Sequence, residues 1–312
     1  MSDIVCEYSI IIPVYNAEST LLELTTRIKN VMKNYQPYEI VFIDDCSEDK
    51  SWQILKELHA TNENVKIIHL IRNFGQHNAT LCGFRYCNGK YALTLDDDLQ
   101  HPPEEIPKLI EKVCEGYLVV YGRYRPKNDT FLQNCLSSIF QKMIHYILNI
   151  PSSIFLSSFA IYDSKVVKNM VTVKTAYPFI FGLLARSAPM NLVQNIDVEH
   201  FERKTGRSNY GLIKYFKYSL NLIINYSSLP LKFVAVLGTV ISTASLLYAL
   251  TIIIRYSLDA TYGLIGWNSL IVATTFLGGM ILLSLGVVGE YLRRILAEVS
   301  CAQQYAIEEM YL

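Results

Sequence analysis

Residues 91–107 read YALTLDDDLQHPPEEIP. An apolar run, YALTL, has the composition of a buried strand. It ends in three adjacent aspartates, and the prolines at 102 and 103 keep the strand from continuing, because proline has no amide to give to a sheet ladder. Glu104 and Glu105 then open a helix, where acidic side chains favour the positive end of the backbone dipole. Three like charges side by side repel each other, and folding alone has no use for them. At the end of a strand they are placed to hold something positive. Asp96 and Asp98, two apart, leave the same face of an extended chain. Together they suit Mg²⁺ or Mn²⁺, which binds one or two carboxylates along with phosphate oxygens; Gln100 can add a ligand. Asp97 points the other way, toward a ribose or the backbone.

Outward from this stretch the same grammar repeats. Apolar runs at 8–14, 39–43, 65–70, 91–95 and 117–121 alternate with helical patterns at about 18–34, 50–60, 76–88 and 104–115. Near-continuous apolar strands separated by helices predict an α/β, doubly wound, mostly parallel sheet covered on both faces. Such sheets bind ligands beyond the carboxyl ends of their strands. Polar residues gather there: Tyr15, Asn16 and Glu18; Asp44, Asp45, Ser47 and Asp49; Arg72, Asn73 and Gln76; Asp96 to Asp98 and Gln100; Arg123 and Arg125. No GxGxxG occurs, which disfavours a dinucleotide fold. The stretch from Gly83 to Lys90 misses a P-loop by one residue, with Tyr91 where Ser or Thr should stand. A diphosphate bound here needs a different counter-charge, and the aspartates with a metal would supply it.

Composition sets the outer limits. The 312 residues carry zero net charge, so a general nucleic-acid surface is not expected. Seven scattered cysteines without a CxxC pair read as reduced thiols, and no Cys/His cluster has zinc spacing. The apolar content, 51%, is concentrated late in the chain. Phe233–Ile254 and Ala260–Gly289 are charge-free over 22 and 30 residues, each enough to span the roughly 30 Å hydrocarbon core as a helix. Basic flanks (Lys214, Lys217 and Lys232 before, Arg293 and Arg294 after) put both ends in the cytoplasm. The resulting division is a cytosolic domain over 1–210, an amphipathic interfacial segment over 211–232, a two-helix hairpin over 233–292 and a cytosolic tail over 293–312. Gly278, Gly279, Gly286 and Gly289 would permit close helix packing and self-association.

The motifs IIPVYNAE, DDCSEDKSW, RNFGQHNATLCGF, LDDDLQHPPEE and VVYGRYR, followed by HFERKTGRSNYGLIKYFKYSLNLIINYSSLPLKF, resemble those of family 2 glycosyltransferases of the GT-A fold. They resemble most the dolichyl-phosphate-mannose-synthase-like branch, and within it bacterial polyprenyl-phosphate glycosyltransferases with two C-terminal transmembrane helices. The likeness covers about residues 8–295. It implies that Pro13, Tyr15, Asn16, Glu18, Asp44 and Asp45 hold base and ribose, with Asp96 shared between nucleotide and metal. It implies Asp96, Asp98 and Gln100 as metal ligands. Asp98, Arg123 and Arg203 become the catalytic set, with Arg123, Arg203 and Ser208 receiving the acceptor phosphate. Three departures stand out: Asp97 where a small residue is usual, Ala160 where an Arg is frequent, and no Arg between 126 and 141.

The implied reaction is metal-dependent, inverting transfer of a sugar from a nucleotide-diphosphate sugar, expected to be a UDP-sugar, to polyprenyl (undecaprenyl) phosphate. It would take place on the cytoplasmic face of the inner membrane and serve cell-envelope glycan modification. Two readings compete. A processive polysaccharide synthase resembles its relatives in a QxxRW motif, which neither Trp52 nor Trp267 satisfies. An inactive membrane scaffold of the same fold would have no need of Asp96 and Asp98.

Overall fold

The computed structural model describes residues 6–124, 141–199, 201, 223, 227, 229–258, 266–299 and 304–312. The chain divides into two compact units, Met1–Asn209 with Cys301–Leu312, and Tyr210–Ser300.

In the first unit the apolar runs become strands: β1 (Cys6–Val14), β2 (Tyr38–Asp44), β3 (Val65–Leu70), β4 (Gly89–Thr94) and β5 (Val119–Arg123). Between them lie α1 (Leu21–Met32), α2 (Ser51–Thr61), α3 (Gln76–Tyr86) and α4 (Ile106–Cys114). After a helical stretch over 141–148, α5, come β6 (Ala160–Asp163), α6 (Ser164–Thr172), α7 (Ile180–Ser187) and β7 (Val193–Asp197). A last strand, β8 (Ile307–Tyr311), closes the chain. Among the described residues the sheet has eight strands, in the order β7-β5-β6-β4-β1-β2-β3-β8. The pairings β1/β2, β1/β4, β2/β3 and β5/β7 are parallel, while β4/β6, β5/β6 and β3/β8 are antiparallel. The mostly parallel sheet expected from sequence is therefore present, with two reversed strands added.

Helices cover it because each has one apolar stripe. Leu21, Leu24, Ile28 and Met32 on α1, and Ile106, Leu109, Ile110 and Val113 on α4, are buried against Ile10, Ile12, Ile40 and Phe42. The opposite face receives α3, whose Gly83 lies directly on the sheet: a Cβ there would stand 2.3 Å from Ile11 Cγ2 and 2.7 Å from Ile43 Cδ1. This close approach fixes the axis of α3, and so the place of Gln76 and His77 at its start.

Three corrections to the sequence reading follow. The fifth strand runs two residues further than expected and carries Arg123 on its last position. Residues 307–311 are not a free tail but the edge strand β8, whose alternating charges conceal its strand character. Among the described residues the second unit has the long helices α8 (Leu229–Leu258) and α9 (Trp267–Val299). Among the described residues one stretch, Phe276–Val299, is long and apolar enough to cross a membrane, and Leu229–Ile241 is a shorter apolar stretch. The expected spans 233–254 and 260–289 thus meet one such stretch, displaced toward the C-terminus. Most of the juxtamembrane segment 211–232, and residues 259–265, lie outside the described residues.

Gly83→Ala should lower the unfolding free energy by about 1–3 kcal/mol, the cost of overpacking a tight core. Denaturant unfolding of the two proteins measures it, and equal midpoints would show that α3 can lift off the sheet freely.

Candidate functional site

β1 and β4 lie side by side in parallel, and the chain departs from them in opposite directions, to β2 and β3 on one side and to β6 on the other. Their carboxyl ends therefore form a switch point, where a crevice opens. Because β6 is antiparallel to β4, with Ala160 opposite Thr94, the residues just before it, Ser157 and Ser158, reach the same edge.

On the β1 side the loops are laced together. The Asn16 amide donates to Ser47 Oγ at 3.0 Å, Ala17 to Ser51 Oγ at 2.8 Å, and Glu18 to Asp49 Oδ2 at 3.1 Å. In return Glu48 and Lys50 amides donate to Asn16 Oδ1 at 2.8 Å and Glu18 Oε2 at 3.0 Å. Tyr15, Asn16 and Glu18 are exposed along this seam. Asn16 has φ +53, a left-handed conformation that is uncommon outside glycine but more often met in Asn, and here both side chain and amide hold it. Asp44 and Asp45 are turned inward, at 0% and 3% exposure. Asp44 accepts from Ser47 Oγ at 2.5 Å and faces His69 Nδ1 at 2.6 Å. Asp45 accepts the amides of Phe74 and Gly75, both at 2.7 Å. Burial pushes the Asp45 carboxyl above the usual range, and those two amides offset it only in part. Strand-end position alone did not reveal that these two carboxylates organise loops from within.

On the β4 side the strand stops at Thr94, and 97–98 form a turn, with Leu99 at φ +60. Strand alternation consequently does not govern the aspartates, and each has its own setting. Asp96 accepts from Gln76 Nε2 at 2.6 Å and from the Ser158 hydroxyl. Asp97 accepts the Tyr15 amide at 3.0 Å, the backbone role foreseen for it. Asp98 accepts the Gln100 amide at 3.1 Å, and all three are partly exposed. These two donors, an amide and a hydroxyl, orient the Asp96 carboxylate. Among the described residues no three His, Cys, Asp or Glu side chains converge. A Mg²⁺ that shares one or two carboxylates with phosphate oxygens does not require three, and Asp96 and Asp98 offer the hard oxygens such an ion takes.

Beside Asp96 lies a cavity of about 230 Å³. Pro13, Gln76, His77, Thr80, Ser157 and Ser158 line it, with Tyr124 and Phe181 among its aromatic walls. The sequence reading assigned no role to His77. In the structure its ring lies edge-on to Phe179, 4.9 Å away, and to Phe181, 6.1 Å away. Burial lowers its pKa to about 4, so it stands neutral at neutral pH. The signal available in sequence was position alone, the second residue of a helix facing the site.

Arg123 forms a bidentate pair with Asp197, at 2.7 and 3.1 Å. The neighbouring carboxylate raises its pKa. Both side chains are well exposed, 48% and 72%. The Phe201 amide donates to the Gln100 carbonyl at 2.8 Å, which ties the chain just before Arg203 to the aspartate loop. Arg203 and Ser208 themselves lie outside the described residues, as do Arg125 and Lys127.

Residues 9–171 match the model of the family described as Glycosyl transferase family 2. The chain is 35% identical over 98% of its length to the uncharacterized glycosyltransferase YkcC of Bacillus subtilis, covering 94% of that protein. It is 33% identical over 97% of its length to the undecaprenyl-phosphate 4-deoxy-4-formamido-L-arabinose transferase of Proteus mirabilis, covering 93% of it. Among solved structures, glucosyl-3-phosphoglycerate synthase of Mycobacterium tuberculosis, in complex with Mn²⁺, UDP-glucose and phosphoglyceric acid, superimposes with a TM-score of 0.53 at 12% identity, over 70% of this chain and 79% of that one. The last likeness is one of fold, and it agrees with the GT-A-type architecture.

His77 also generates an acid dependence. An unfolded imidazole titrates near pH ~6.5, whereas the folded one titrates at about 4. The unfolded chain binds more protons in between, so the contribution of neutral His77 is complete above the higher value and lost as pH falls toward the lower. His77→Gln should flatten the fall in stability across that window, measured by chemical unfolding at stepped pH. An unchanged slope would contradict the burial of this ring.

Proposed function

The chain belongs to glycosyl transferase family 2, and from that premise we propose that it transfers a sugar from a nucleotide diphosphate, UDP in the first instance, to polyprenyl phosphate at the cytoplasmic membrane face. The observation that carries this reading is the triplet Asp96–Asp98 at the β1/β4 switch point, between the laced nucleotide-side loops and the cavity. The acceptor is supported by the full-length likeness to an enzyme whose name specifies undecaprenyl phosphate.

In this reading Pro13, Tyr15, Asn16 and Glu18 meet base and ribose along the exposed seam. Asp44 and Asp45 act from behind it by fixing the loops. The cavity takes the sugar, with Gln76, Thr80 and Ser158 as hydrogen-bonding groups and neutral His77 between its phenylalanines. Asp96, Asp98 and Gln100 would hold Mg²⁺ or Mn²⁺, which when bound supplies positive charge to the departing diphosphate. The attacking group is a phosphate oxygen, already largely anionic because a phosphate monoester's second pKa is about 6. The chain therefore has no need of a strong general base, and none is assigned. A single in-line displacement inverts the anomeric centre.

Two anionic reactants must approach each other, and Arg123 and Arg203 offset that repulsion; guanidinium matches phosphate oxygens two at a time. The Arg123–Asp197 pair does not obstruct this role. Exposed pairs of this kind are worth only about 0–1 kcal/mol, so a phosphate can replace Asp197 at little cost. Ser208 would complete the phosphate contact.

A constraint of connectivity bears on the membrane. The chain leaves the first unit at Asn209 and is part of it again from Cys301, with β8 paired to β3. With the first unit wholly on one side of a bilayer, this connectivity supports an even number of crossings. In this reading a crossing by Phe276–Val299 calls for a second, for which α8 is the candidate among the described residues. The basic flanks put the first unit in the cytoplasm. At Gly278, Gly279, Gly286 and Gly289 an added Cβ meets nothing within 4 Å, which leaves this face open for self-association.

Asp98→Ala and Asp96→Ala should each lower Mn²⁺-supported transfer to polyprenyl phosphate by about 100-fold or more, the scale of losing a principal charge-stabilising group. Membrane association should be unchanged. Wild-type rates in Asp98→Ala would remove the metal site. Arg123→Ala should cost about 10-fold or more in kcat/KM, the scale of one charge-assisted contact, whereas Asp197→Asn should cost little; equal losses would mean that the pair itself is what matters.

A further inference from the structure

After α9 the chain comes back across the first unit. Gln304 Nε2 donates to the Thr175 carbonyl at 3.0 Å, the Ile71 amide donates to the Ala306 carbonyl at 3.0 Å, and Lys56 pairs with Glu309 at 2.9 Å. The pairing of β8 with β3 is interrupted at one place. Tyr311, Met310 and Glu309 face Ile67, Ile68 and His69 in turn, but Leu70 faces Ile307. Glu308 is therefore the extra residue of a bulge, a device that redirects a side chain. Its carboxylate lies 3.4 Å from His69 Nε2.

The other nitrogen of His69, Nδ1, faces buried Asp44 Oδ2 at 2.6 Å, and the imidazole is stacked on Trp52, with centroids 4.7 Å apart. From Asp44 the connections lead into the site. Ser47 gives its one hydroxyl proton to Asp44 Oδ1, so its oxygen is left to accept the amide of Asn16, the residue with φ +53. Tyr15, next in line, bonds to Asp97. A continuous path thus runs from Glu308 on the C-terminal strand through His69, Asp44 and Ser47 to the seam that flanks the aspartate triplet.

We propose that His69 is a positioning residue for the nucleotide-binding seam, and that β8 holds it from the outer side through Glu308. His69 touches neither reactant. It supplies one hydrogen bond to the fully buried Asp44 carboxylate, beside those from the Ser47 hydroxyl and amide, and Asp44 in turn sets the hydroxyl that holds Asn16. A buried carboxylate deprived of one donor takes another, at a cost of about 1–3 kcal/mol; the nearest to hand are those that now shape the seam. The segment following the last long helix thereby sets the affinity of the donor site. This inference rests on the nucleotide reading given above.

The test uses the full-length protein in detergent, with binding of UDP and of GDP in the presence of Mn²⁺ measured by calorimetry, alongside steady-state transfer. His69→Ala should raise Kd for the nucleoside diphosphate, and KM for the donor, about tenfold, with kcat changed less than about twofold. His69→Asn, whose side-chain amide can stand where Nδ1 stands, should restore most of the affinity. Glu308→Ala, an exposed position that leaves the core intact, should raise Kd about threefold, a surface-contact effect. Gln304→Ala cuts a contact of the same returning segment, to the Val173 and Thr175 carbonyls, that does not lead to Asp44, and should leave Kd unchanged. Wild-type protein that binds neither nucleotide overturns the nucleotide site, and this inference with it. Wild-type binding with unaltered Kd in His69→Ala or Glu308→Ala, or no recovery in His69→Asn, overturns the positioning role alone.

Discussion

The amide of Tyr15 donates to Asp97 Oδ2 at 3.0 Å. This one bond joins the end of β1 to the turn after β4, the two sides of the crevice on which everything else depends. It commits the middle carboxylate of the triplet to the backbone. Asp96, aimed by Gln76 and Ser158, faces the cavity, and Asp98 is held by its own turn. Local geometry separates the three like charges into one that ties loops together and two that stay partly exposed at the crevice.

The lacing of the β1 and β2 loops extends the same logic. Each loop offers its backbone amides to side chains of the other, so neither can shift alone. Such cross-bonding lets a non-glycine residue keep a left-handed backbone at Asn16, a form of local strain that surrounding structure must over-determine. The outcome is a seam with exposed side chains over a rigid interior, the arrangement a site needs to bind without reorganising.

How much of this was legible beforehand follows from what each residue faces. The five long apolar runs declared their strands because both faces of the sheet are covered. β6 is only four residues long, β7 reads VQNID, and β8 reads IEEMY; edge position and short length erase the apolar signal. The armed strand ends pointed to the edge where Asp96 lines the cavity, yet sequence could not say that Asp44 and Asp45 point inward, since that depends on Ser47, Phe74 and Gly75. Ser158 was unreadable for the same reason, since it joins the cavity only once β6 is paired with β4, and position alone placed His77 near the site without its phenylalanine neighbours. The return of β8 was hidden because its partner, β3, lies more than two hundred residues earlier in the chain. That return places residues 301–312 in the first unit, so the second unit is an insertion in its chain.

The central claim is that this crevice moves a sugar onto a lipid phosphate. The most direct measurement supplies the purified protein with polyprenyl phosphate, Mn²⁺ and a panel of nucleotide sugars, then identifies lipid products by mass and their anomeric linkage by NMR. The expected product is a polyprenyl-phosphate-linked sugar of opposite anomeric configuration to its donor, formed with one member or a few members of the panel. A lipid product that retains the donor configuration, or sugar appearing only on a hydroxyl acceptor while the lipid phosphate is untouched, would contradict it.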